Sequence, residues 1–131
     1  MRFSHLMLRV GDLQRSLRFY VDLLHMQVLR STDYPAGKFT NTFIGYGAEA
    51  SFPTIELTHN WEQPEPYVHG TAFGHIAIEV ADVYGFCDYL ENAGVRILKA
   101  PSPMKHGKRV LAFVEDPDGY KVEISEPYRG E

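Results

Sequence analysis

Four side chains in this sequence could together hold a transition metal: His5, Glu56, His75 and Glu123. Two imidazoles with two carboxylates suit Zn, Ni, Co, Mn or Fe, and are too rich in nitrogen for Ca or Mg. Singly, none of them says much. A strand His is ordinarily structural or exposed, and a Glu between apolar neighbours in an alternating strand ordinarily faces solvent. Repetition is what joins them. His5-Leu-Met-Leu-Arg-Val-Gly-Asp12 returns as His75-Ile-Ala-Ile-Glu-Val-Ala-Asp82, an offset of 70 residues. Thr54-Ile-Glu56-Leu57 returns as Lys121-Val-Glu123-Ile124, an offset of 67, and a small difference in loop length accounts for the change. Two sheets related by a two-fold axis would bring His, Glu, His and Glu around that axis.

The elements that must position them follow from period and punctuation. Period-2 alternation after His5 and after His75 predicts a strand in each copy. Asp12 and Asp82 then stand where a helix N-cap belongs. The first helix is expected over 13–24, with Leu13, Leu17, Tyr20 and Leu24 on one face. The second is expected over 83–93, with Phe86, Leu90 and Ala93 on one face and Gly94 ending it. Three strands follow each helix: 27–31, 38–46 and 51–58 in the first copy, and 95–99, 109–115 and 120–125 in the second. Asp116-Pro117-Asp118-Gly119 is a turn between the last two. Each half therefore reads βαβββ. The expected organisation is one α+β domain over 1–131, with a first module over 1–60, a Pro-rich linker over 61–72 and a second module over 73–126.

Composition narrows the function. The chain has 131 residues, 44% of them hydrophobic, enough for a packed core. Its net charge of −4, without a basic stripe, argues against nucleic acid as a partner. No apolar run approaches the roughly 20 residues that cross a bilayer, and no signal-peptide pattern opens the chain, so no membrane partner is expected. One cysteine, Cys87, allows no intrachain disulfide and reads as a small core residue; a cytoplasmic protein is expected.

With these residues in place, the sequence resembles glyoxalase I of the vicinal oxygen chelate superfamily over about residues 1–127. The resemblance rests on His5-Leu-Met-Leu-Arg-Val, Ile55-Glu-Leu-Thr-His-Asn60-Trp61, Phe73-Gly-His75-Ile-Ala-Ile and Ala112-Phe-Val-Glu-Asp-Pro-Asp-Gly-Tyr-Lys-Val-Glu123. It implies paired curved mixed sheets, and a metal held by His5, Glu56, His75 and Glu123. It further implies the nickel-preferring class, with Zn and Co as the other metals to consider: the first ligand is His, and the chain begins four residues before it. The implied reaction is that of a lactoylglutathione lyase. It moves a proton from C1 to C2 of the hemithioacetal of glutathione and methylglyoxal, with a divalent Lewis acid stabilising the enediolate. Glu123 is then the main base and Glu56 its symmetry mate.

The same resemblance assigns substrate contacts. Arg9 lies four residues after His5 and Asn60 four after Glu56, each on the same strand face by parity, and both match glutathione-contacting positions. His75 adjoins the substrate as a ligand. Lys105, Lys108 and Arg109 lie in a polar loop ahead of a strand where they could meet the glycyl carboxylate of glutathione, and Lys105 is the candidate chosen among them. Thr71 replaces a substrate-binding Arg of the animal enzymes. Trp61 either lines an apolar pocket or packs its loop, and His25, where relatives have Gly, requires a costlier backbone geometry. The family implies a homodimer whose two interfacial sites each take His5 and Glu56 from one chain and His75 and Glu123 from the other. Two rivals remain at this level. A methylmalonyl-CoA epimerase-like lyase or epimerase on the same scaffold typically has Gln at the position of Glu56. A metal-free small-molecule binding protein would have lost ligands, and all four are present.

Overall fold

The computed structural model of the chain describes residues 1–130. It divides into two units, the first ending at Val68 and the second beginning at His69, inside the stretch expected as a linker. No helix among the described residues is long and apolar enough to cross a membrane.

The first unit runs β1 (His5–Arg9), α1 (Leu13–Leu17), β2 (Gln27–Tyr34), β3 (Phe39–Gly45) and β4 (Thr54–Asn60). Asp12 begins α1 as expected: its carboxylate accepts the Arg15 N–H at 3.1 Å, satisfying one of the donors a helix start leaves open. The single helix expected over 13–24 is instead α1 followed without a break by a π-helical stretch, Arg18–Leu23. The wider turn appears in the bonds Leu24 N–H to Phe19 O and Met26 N–H to Tyr20 O, both 3.0 Å. It ends at His25, whose φ of 63° is the left-handed geometry expected of it.

The sheet order is β1-β4-β3-β2, with β1 and β4 parallel and the other neighbours antiparallel. Strands β2 and β4 reach further than the alternation predicted, to Tyr34 and Asn60. Ile55 and Leu57 alternate with Thr54, Glu56 and Thr58, so one sheet face carries the core. There Leu8, Ile44, Ile55 and Leu57 lie buried with Tyr20 and Leu24. Each such side chain withdrawn from water contributes about 1.5–3 kcal/mol.

The second unit repeats the plan: β5 (Ile76–Glu79), α2 (Val83–Asn92), β6 (Arg96–Pro103), β7 (Val110–Glu115) and β8 (Lys121–Ser125), in the sheet order β5-β8-β7-β6. Asp82 caps α2 by accepting the Gly85 N–H at 3.0 Å, and Gly94 (φ 90°) ends it. Val83, Cys87 and Leu90 bury one face of α2, so Cys87 is a core residue, and burial raises its thiol pKa. The Asp116–Gly119 turn forms as expected: the Asp116 carboxylate accepts the N–H groups of Asp118 and Tyr120 at 2.9 and 2.8 Å.

Candidate active site

Within the first unit the face opposite the core carries the candidate functional residues. His5 opens β1 and is exposed, and Glu56 lies half-buried at the middle of β4. Met7 of β1, Glu56 of β4, Phe43 of β3 and Arg30 of β2 stand in one cross-strand row. His5 shares the face of Met7 by parity and meets the Phe43 ring edge-on, at 5.3 Å between centroids and 78° between planes. The Arg30 guanidinium lies over the same ring, 3.7 Å from its centroid. Arg30 also donates to Glu49 at 2.9 Å. That bond first, and the charges of Glu49, Tyr34 and Glu56 after it, raise its pKa. Ser4 Oγ lies 2.9 Å from His5 Nδ1, which leaves Nε2 as the ring nitrogen available to a ligand.

The second unit builds the same row on its own face: Ala77 of β5, Glu123 of β8, Phe113 of β7 and Lys99 of β6. His75, one residue before β5, meets Phe113 edge-on at 5.1 Å and 74°. Phe73 and His69 pack on the buried Tyr120, which fixes the segment leading to His75. His75, Phe113, Lys99 and Lys121 line a recess of about 300 Å³ with Phe73 and Leu98.

Each unit thus brings one expected ligand pair, His5 with Glu56 and His75 with Glu123, onto one face. Among the described residues no three His, Cys, Asp or Glu side chains form a group that could hold a metal. Arg9 and Asn60 fall on the expected face of the first unit, at the ends of β1 and β4. The Asn60 carboxamide donates to the Tyr67 hydroxyl at 2.9 Å. Lys105 sits in the exposed turn between β6 and β7, and Thr71 is exposed ahead of β5. Trp61 ties its loop to β3, its indole N–H donating to Thr40 Oγ at 2.9 Å.

Sequence reasoning missed Arg30, Lys99 and the two phenylalanines. Arg30 and Lys99 both stand at β-bulges, where the β2–β3 register shifts between Val28 and Arg30 and the β6–β7 register shifts on both sides of Lys99. A bulge adds a residue to one strand and re-aims the next side chain, so counting by twos fails there. Phe43 and Phe113 stand 70 residues apart, the offset of the two His, and that spacing could have found them.

Residues 2–124 match the family model of the Glyoxalase/Bleomycin resistance protein/Dioxygenase superfamily. The chain belongs to that superfamily. Within it, the chain is 54% identical over 120 residues to a probable lactoylglutathione lyase of Synechocystis, covering 92% of this chain and 91% of the relative. It is 50% identical over 131 residues to the lactoylglutathione lyase of Neisseria meningitidis serogroup A, covering 100% and 94%. Among solved structures, glyoxalase I of Zea mays superposes with a TM-score of 0.92 at 40% identity, over 98% of this chain. The chain spans 45% of the maize chain's length. A trypanothione-dependent glyoxalase I of Leishmania major superposes with a TM-score of 0.85 at 43% identity, over 96% of this chain and 86% of that one.

The donor chemistry of the two units fits a divalent transition metal. Each offers an imidazole from the start of its edge strand or the residue just before it, and a carboxylate from the neighbouring inner strand. The first unit also has a hydroxyl on the far ring nitrogen of its His, the kind of outer contact that orients a metal-binding imidazole.

Proposed function

We propose that this protein is a lactoylglutathione lyase that converts the hemithioacetal of glutathione and methylglyoxal to S-lactoylglutathione. The observation that carries the reading is the duplicated His–Phe–Glu arrangement, in register in both units, on a chain about half identical to proteins of that name. His5, Glu56, His75 and Glu123 would hold a divalent metal, nickel before zinc or cobalt. When bound, the metal supplies positive charge against the oxyanion that develops as the C1 proton leaves.

The chain's own part is the proton. Glu123 takes it from C1 through a carboxylate oxygen and returns it to C2, so the reaction is an isomerisation with no net gain or loss. One feature favours Glu123 over Glu56 as the base. Its neighbour on the parallel strand is Ala77, where Glu56 has the bulkier Met7, which leaves room for substrate. Phe43 and Phe113 give each His an apolar wall that limits its swing and keeps water from that side. Arg9 and Asn60 bind one end of glutathione, and the Lys99–Lys121 recess takes a carboxylate at the other. Lyase activity of chelator-stripped protein, before and after adding back Ni, Zn or Co, tests the reading. Activity should be lost and should return best with Ni; metal binding without lactoylglutathione would overturn the substrate, and no metal binding would overturn the ligand set.

We further propose a homodimer in which each site takes His5 and Glu56 from one chain and His75 and Glu123 from its partner. Support comes from β1 and β5 being edge strands, with Leu6 of β1 and Phe3 just ahead of it exposed. Mixing inactive His5→Ala and Glu123→Gln proteins should restore activity, because each mixed dimer regains one intact site; none after verified subunit exchange would refute the shared site. A buried single cysteine fits the reducing cytoplasm.

A further inference from the structure

We infer that Tyr67 is a positioning residue for thiol recognition, acting through Asn60; this rests on the lactoylglutathione lyase reading above. A carboxamide alone on a strand end can turn over, exchanging its N–H and C=O edges. Here one Asn60 N–H is taken by the Tyr67 hydroxyl at 2.9 Å. The amide oxygen and the second N–H are thereby fixed for a ligand. One edge accepts from an ammonium and the other donates to a carboxylate oxygen, so the held amide fits an α-amino-acid head group, with Arg9 on the same face by parity.

The loop that delivers Tyr67 is restrained along its length. Trp61 N–H bonds Lys38 O at 2.9 Å, and its indole holds Thr40, which in turn donates to Asp33 at 2.7 Å. Lys38 pairs with Glu62 at 2.8 Å, and the Gln63 side chain donates to Glu65 O at 2.6 Å. Pro64 and Pro66 remove backbone freedom on the approach to a half-buried Tyr67. Thr40 is buried on the β3 face it shares with Thr42 and Ile44, so these restraints tie the loop that carries Tyr67 to the packed sheet of the first unit. The second unit has Pro127 at the place of Asn60, 67 residues on, so the device is confined to the first unit.

Steady-state kinetics on metal-loaded Tyr67→Phe protein tests this, with methylglyoxal hemithioacetals of glutathione and of cysteinylglycine, which lacks the γ-glutamyl head. With glutathione, KM should rise about three- to tenfold, the worth of one neutral hydrogen bond, while kcat stays within about twofold. Asn60→Ala should raise KM at least as much, and the double variant no further, since the two act as one unit. With cysteinylglycine, Tyr67→Phe should match wild type. Unchanged KM for glutathione, a fall in kcat alone, multiplying effects in the double variant, or equal losses with both thiols would each overturn the inference. Pro66→Gly, which loosens the loop and spares the hydroxyl, should give a smaller KM rise of the same kind and serves if Tyr67→Phe does not fold. Wild-type protein inactive on both hemithioacetals would overturn the lyase reading and this inference with it.

Discussion

The two units hold the same three side chains in the same register and surround them differently. His5 and His75 meet Phe43 and Phe113 at nearly equal distances and angles, and the Glu of each unit stands beside its Phe. Around that shared core the first unit is dense in polar support. Ser4 contacts His5, Arg30 lies over Phe43, Thr58 donates to Asn41 at 2.9 Å, and Tyr67 holds Asn60. At the matching places the second unit has Gly74, Lys99, Ser125 with Leu111, and Pro127. The duplicated part is what a metal would need from each half. The part that differs is what an asymmetric substrate would need, because one face must grip a head group and the other must leave room for chemistry.

That division gives its sharpest test at the two carboxylates. With nickel saturating, Glu123→Gln should lose about a hundred- to ten-thousandfold in kcat, and Glu56→Gln distinctly less. Equal losses would mean that the halves share the proton work and that the crowding by Met7 does not matter. A smaller effect separates the two lysine candidates. Lys99→Ala should raise KM about tenfold, as expected for losing a charge-assisted bond, and Lys105→Ala should leave it near wild type. The reverse ranking would put the carboxylate in the β6–β7 turn instead of the recess. The smallest effect lies at the helix ends, where His25 and Gly94 hold equivalent left-handed positions (φ 63° and 90°). Gly94→Ala should cost about 1 kcal/mol by thermal melting, and His25→Gly should change stability by less than about 1 kcal/mol in either direction, relief of strain opposing added chain entropy. A large loss at His25 would show that its imidazole, not its backbone, is what the position keeps.

The repeat made most of the fold legible. Strands with clean alternation, such as Ile55-Glu56-Leu57 and Val122-Glu123-Ile124, disclosed both their faces and their ligand candidates. The π-helical stretch left no such mark, because widening a helix by one residue changes hydrogen bonding without changing which residues are apolar. The ends of β2 and β6 were also hidden. Thr32-Asp33 in β2 and the two prolines of β6 read as loop, and their place in a sheet is settled by partners in β3 and β7. Arg30 and Lys99 were lost for the related reason that bulges break parity. Tyr67 was lost because a loop residue's partner cannot be counted from a period at all.

The parallel pairing of β1 with β4 has a consequence for how the protein is made. His5 faces Thr54 across the ladder, and every strand of the first sheet lies before Val68. During synthesis β1 therefore emerges first and waits, its edge unpaired, until the last strand of its own half has left the ribosome. The first half can then close before the second is translated, and the second repeats the wait with Ile76 and Val122. In each half, a strand bearing a candidate metal ligand is the last to arrive, so the half that could offer a ligand pair is already a folded one.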